Sequence, residues 1–198
     1  MTRPTLSFQM FSSRAAEDLD TQLALLAELG LTDIQPFFFG PPDSMEDVHN
    51  YISTMKAHGL TAQSGHFLLE QFEETPDQVE EIATAFGMWL VACPVIDVAI
   101  RPETPEGWDA IGKRLAAVNE EMTSRGLTFA YHNHEFEMVP LADGSYPIDR
   151  LLGETVPFEP DLAWMVVGGA DPRTFVEKYK SPHSCSSCER CRSLGYLP

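Results

Sequence analysis

Four times along this chain a helical stretch ends in glycine and an apolar, β-like run begins at once. Gly30-Leu31-Thr32 leads into residues 33–38, Gly59-Leu60-Thr61 into 62–66, Gly87-Met88-Trp89 into 90–93, and Gly126-Leu127-Thr128 into 129–132. The glycines are spaced 29, 28 and 39 residues apart, lengths that suit one strand plus one helix. A glycine just past a helix adopts the left-handed C-cap without a Cβ penalty. A chain punctuated in this way is committed to alternating strands and helices.

The intervening segments read as helices. Residues 16–29 place Leu23, Leu26 and Leu29 on one face, with Ala24 and Ala27 beside it. Asp43 and Ser44 can cap a helix reaching about Ala57, and Thr75 followed by Pro76 is a helix start. Residues 108–124 carry Ile111, Leu115, Val118 and Met122 at spacings of three and four. Further strands are expected at 5–11 and 158–164, with a last helix at 171–180. Strands alternating with helices imply a parallel sheet with crossover connections, which both a doubly wound sheet and a barrel satisfy. The pattern gives about six βα units, whereas a full (β/α)8 barrel needs eight.

The chemistry concentrates in Tyr131-His132-Asn133-His134-Glu135-Phe136-Glu137. This strand turns polar at its C-terminal end, where sites form on parallel α/β scaffolds. His132 and His134 are two apart and share one face of a strand. Two imidazoles with carboxylates nearby can bind a divalent metal or move protons. A hydrogen-bonded structural cluster is the competing reading.

The same run resembles a signature of bacterial sugar phosphate isomerases/epimerases of the xylose-isomerase-like TIM-barrel group. Residues 161–172, Asp-Leu-Ala-Trp-Met-Val-Val-Gly-Gly-Ala-Asp-Pro, and then 175–180, resemble that group's sixth strand and following helix. Gly65-His66 fits the end of strand three. The likeness spans roughly residues 5–180 and implies an incomplete TIM-barrel domain over 1–180. It also implies a divalent metal (Mn, Mg, Co or Zn) and a small-molecule sugar substrate, with proton abstraction next to a carbonyl and metal stabilisation of the enediolate. The group's ligands are a carboxylate near strand five, an Asp on strand six, a His on strand seven and a Glu on strand eight. Asp161 matches the strand-six ligand. For strand five Glu137 is the choice, with His132, His134 and Glu135 as rivals. Glu137, His132 and His134 are the catalytic candidates, and His66, Trp164 and Asn133 the candidates for substrate contact. His66 as a buried hydrogen-bonded histidine and Trp164 as a core residue are the alternatives.

Composition narrows the partners. A formal net charge of −17 argues against nucleic acid and anionic membranes, because phosphate binding needs clustered Lys and Arg. A 43% hydrophobic content is that of a globular chain. No run approaches a membrane span and no signal peptide is read, so the cytoplasm is expected.

Residues 181–198 break the pattern. They are Ser-rich and almost free of apolar residues, and they hold Cys185, Cys188 and Cys191. The C-x2-C-x2-C spacing could be part of a Zn or Fe–S site, with His183 as a further ligand. The other reading is a frameshift and early stop, which a one-base shift into a strand-seven-like segment favours. On that reading the barrel stays open, two metal ligands are missing, exposed strand edges invite self-association, and activity is in doubt. A non-catalytic sugar-binding remnant and a metal module built on the C-terminal cysteines are the alternative functions.

Overall fold

The computed structural model describes residues 5–16, 18–40, 42 and 44–179. Asp43 and the segment 181–198 lie outside these. The chain divides into two compact units, the first ending at Val91 and the second beginning at Ala92.

In the first unit, strand β1 (Ser7–Gln9) pairs in parallel with β2 (Asp33–Gln35), setting Phe8 opposite Ile34. Strand β3 (Phe37–Phe38) pairs in parallel with β4 (Ser64–Phe67), setting Phe37 opposite His66. The single strand expected over 33–38 is thus two short ones. Pro36 has no N–H to continue a ladder, but its carbonyl accepts from His66 N at 2.9 Å. The strand expected over 5–11 is also shorter, because Met10–Ser13 coils into a 3-10 turn.

Helix α1 (Leu19–Glu28) starts later than the apolar spacing suggests. Asp18 caps it, accepting from Thr21 N at 3.1 Å. Leu23 and Leu26 are buried as expected, but Leu29 is 70% exposed because it lies past the last turn. Helix α2 (Met45–Ala57) is capped by Ser44, whose hydroxyl accepts from Asp47 N at 3.2 Å, and buries Val48, Ile52 and Met55. Helices α3 (Leu69–Glu74) and α4 (Pro76–Phe86) follow, α4 opening on Pro76 and burying Val79, Ile82, Ala83 and Phe86. The stacked rings of Phe38 and Phe67, 4.8 Å apart, extend this core.

Strand β5 (Leu90–Cys93) leads into the second unit. Helix α5 (Pro105–Ser124) begins three residues before the expected Trp108. Thr104 accepts from Gly107 N at 3.2 Å, and Pro105 suits the first helical position. Ile111, Leu115, Val118 and Met122 are buried on its inner face as the spacing predicts. Strand β6 (Thr128–His132) pairs in parallel with β7 (Phe158–Glu159), placing Tyr131 opposite Phe158 and His132 opposite Glu159. Helix α6 (Pro147–Leu152) packs on α5 and is tied to it by Arg150, which reaches both Asp109 oxygens at 2.9 Å.

The strand expected over 158–164 ends at Glu159. Asp161 accepts from Trp164 N at 2.9 Å and caps helix α7 (Leu162–Val167) instead. The apolar run that suggested a strand is helical because a capping side chain stands directly before it. Helix α8 (Pro172–Tyr179) completes the described chain. The four glycines of the repeat, Gly30, Gly59, Gly87 and Gly126, all take left-handed φ values between 71° and 83°.

Candidate functional site

The C-terminal ends of β6 and β7 bring the polar residues of the second unit together. At the paired position, His132 Nδ1 is 3.4 Å from Glu159 Oε1, and His132 Nε2 is 3.8 Å from Asp161 Oδ2. An imidazole thus stands between two carboxylates, with side chains 15%, 24% and 28% exposed. Glu159 and Asp161 are two apart. That i, i+2 acid pair at the end of a strand was the signal that would have drawn Glu159 into the candidate set.

Asn133 is fully buried and faces Asp161 through backbone contacts. Its Nδ2 donates to the Asp161 carbonyl at 3.1 Å, and Asp161 N donates back to Asn133 Oδ1 at 2.8 Å. Both ends of the carboxamide are therefore engaged in fixing where Asp161 leaves the strand. Asp161 Oδ1 is held by the α7 cap, and Oδ2 points to His132.

Glu137 is fully buried in the 3-10 turn Phe136–Met138. The Tyr131 hydroxyl donates to its Oε1, and His134 N donates to its Oε2 at 2.8 Å. As placed, each oxygen is taken up by a protein donor. Burial raises the Glu137 carboxyl to about 7, although the bonds from Tyr131 and His134 favour the ionised form. Tyr131 is pushed well above the usual phenol value by burial first and by the Glu137 charge second. The pair makes a rigid floor beneath the loop that carries His134.

The His134 ring lies 5.5 Å from that of His132 and 5.2 Å from that of Trp164. Its Nδ1 is buried with no hydrogen-bond partner among the described residues. Burial lowers its pKa first, and the neighbouring His132 adds to this. Trp164 is 36% exposed, so it belongs to the rim of this cluster and not to the core. Gly168 lets α7 settle on the same loop. A Cβ there would stand 2.5 Å from the Glu135 carbonyl oxygen and 2.6 Å from Met138 Cβ.

His66 belongs to the first unit. It is 3% exposed, and Gln9 Nε2 donates to its Nδ1 at 3.1 Å.

The donors fit a divalent cation. His132 Nε2 beside Asp161 Oδ2 offers an imidazole and a carboxylate to one ion, donor types that Mn, Mg, Co or Zn accepts, with Glu159 on the opposite nitrogen of the ring. The buried Nδ1 of His134 marks the same pocket as a place with unused polar capacity.

No family model matches this sequence, and neither does any curated protein. Solved structures do match. A sugar phosphate isomerase/epimerase from Parabacteroides distasonis superposes with a TM-score of 0.74 at 22% identity, over 91% of this chain and 73% of that one. A family 2 AP endonuclease from Brucella melitensis gives 0.66 at 13% identity, covering 90% and 76%. A xylose isomerase-like TIM barrel protein from Mycobacterium smegmatis, in complex with magnesium, gives 0.63 at 15% identity, covering 90% and 72%. With its parallel strands and alternating helices, this chain has an α/β fold similar to that of these TIM-barrel proteins. The same fold carries different activities in these neighbours, so the activity here has to be argued from the site.

Proposed function

We propose that this protein is a metal-dependent isomerase or epimerase acting on a sugar or sugar derivative by moving a proton next to a carbonyl. The observation that carries this reading is His132 held between Glu159 and Asp161 at the ends of two paired strands. His132 Nε2 and Asp161 Oδ2 would hold the ion, and Glu159 would orient the imidazole through Nδ1, the usual support for a metal-bound histidine. A divalent ion there would polarise the carbonyl and hydroxyl oxygens of a bound sugar. Glu137 acts from behind, fixing the His134 backbone. His134 stays neutral at physiological pH because burial disfavours its charged form, so its ring can accept a proton from substrate. Trp164 offers an aromatic wall for a sugar ring.

Two measurements on the same samples test this. Metal content after loading with Mn or Zn should be one ion per chain, falling at least tenfold in affinity in Asp161→Asn and His132→Ala. Incubation with a panel of ketoses and ketose phosphates in deuterated water should show solvent deuterium entering the carbon beside the carbonyl, with the label lost in His134→Gln. Metal retained in both ligand variants would sink the assignment. Metal binding without deuterium entry into any sugar would leave a binding protein and not an enzyme.

A further inference from the structure

Arg101 is held in place without an ion-pair partner among the described residues, although its charge reaches the buried Glu137 carboxyl. It follows the short turn Val98–Ile100 after β5. Its Nε donates to the Ile96 carbonyl at 2.8 Å, and its Cζ lies 3.6 Å from the centroid of the Phe136 ring. The carbonyl fixes one edge of the guanidinium and the ring fixes its plane. The side chain is half-buried and forms no salt bridge among the described residues; the buried acid its charge acts on, Glu137, has both oxygens engaged by Tyr131 and His134 N. Elsewhere in the same unit arginines have acidic partners: Arg150 has Asp109 and Asp143, and Arg125 has Glu121. In a chain of net charge −17, acids to neutralise a structural arginine are plentiful.

The surroundings tie Arg101 to the site. Phe136, on which it lies, stacks 6.3 Å from His134 and 6.2 Å from Trp108. Trp108 stands in the first turn of the 20-residue helix α5. With Nε committed to Ile96, the two Nη nitrogens remain as a fork for a pair of oxygens.

We propose that Arg101 anchors an anionic oxygen group of the substrate, a phosphate or a carboxylate, across the Phe136–His134 wall from the His132–Asp161 pair. This rests on the sugar-site reading above, and it makes the substrate a charged sugar. Phosphate would come from a phosphorylated sugar and carboxylate from a sugar acid.

The test titrates the full chain with inorganic phosphate and, separately, with glycolate, following tryptophan fluorescence and heat. One of the two probes should bind saturably. Arg101→Gln should weaken it at least tenfold, Arg101→Lys should weaken it severalfold by removing the fork, and Arg125→Gln should leave it unchanged. A preference for phosphate assigns a sugar phosphate, and a preference for glycolate assigns a sugar acid. No saturable binding of either probe, or equal affinity in wild type and Arg101→Gln, overturns the proposal. Should circular dichroism show Arg101→Gln to be unfolded, Arg101→Lys decides, and undiminished affinity there overturns it as well. Asp161→Asn should lose the metal and keep the anion, so a failed metal assignment and a failed anion site are read separately.

Discussion

The carboxamide of Asn133 closes a two-way hydrogen-bonded ring with the backbone of Asp161, giving one bond and receiving the other. Asn133 follows β6 and Asp161 follows β7, so this ring sets the separation of the two polar strand ends. His132, one residue before Asn133, meets Asp161 because of it.

Asn133→Ala should therefore cost both stability and metal. It leaves the part-buried Asp161 N–H without its acceptor, a loss of about 1 kcal/mol. Urea unfolding should show that loss, and metal affinity should fall along with it. Undiminished metal affinity in a destabilised Asn133→Ala would show that the ring supports the fold and not the site.

Glu137 gives a pH signature. Its folded value near 7 lies above that of an unfolded glutamate, about 4.3. Between those values the unfolded chain releases the proton first, so stability declines as pH rises through the window and levels off above 7. The full effect is about 4 kcal/mol. Glu137→Gln can keep both bonds, its oxygen accepting from His134 N and its amide donating to the Tyr131 oxygen. The wild type should lose stability between pH 5 and pH 8 relative to Glu137→Gln, read as the difference between their denaturation midpoints. Parallel pH profiles would be the contrary result.

Gly168 is a steric test of how α7 is docked. Its φ of −74° is open to any residue, so the cost of Gly168→Ala comes from contact alone. The added methyl meets the Glu135 carbonyl and Met138. A loss of about 1–3 kcal/mol is expected. Because α7 begins at Asp161, the displacement should also weaken metal binding. A thermal melt unchanged from wild type would show that the loop yields without cost.

Helix α7 also exposes apolar side chains. Leu162 is 49% exposed, Val166 62% and Val167 64%. Neighbouring apolar groups left in water favour association. Sedimentation velocity should show growth in mass with concentration, reduced in Val166→Glu/Val167→Glu. A monomer at all concentrations would rule this out.

The local code of the chain was written in its sequence. Helix-stopping glycines, the caps at Ser44 and Thr104, and the three-four spacing of α5 are short-range effects, and they appear where the residues call for them. The polar end of β6 was equally legible, because a parallel strand that turns from Phe129-Ala130-Tyr131 to His132-Asn133-His134 has few other uses. Pro36 and Asp161 show where apolar runs mislead: a missing N–H divides one strand, and a capping carboxylate turns another into a helix. Only tertiary structure could separate the roles of the acids. Glu137 and Glu159 are alike in sequence, but one is buried against Tyr131 and the other faces His132 across a strand pair. Partnership across strands depends on register, and neither burial nor register is fixed by neighbours in the chain. From residue order alone it follows that the end of β6 is polar. Packing decided which of its residues face one another and which hold the others in place.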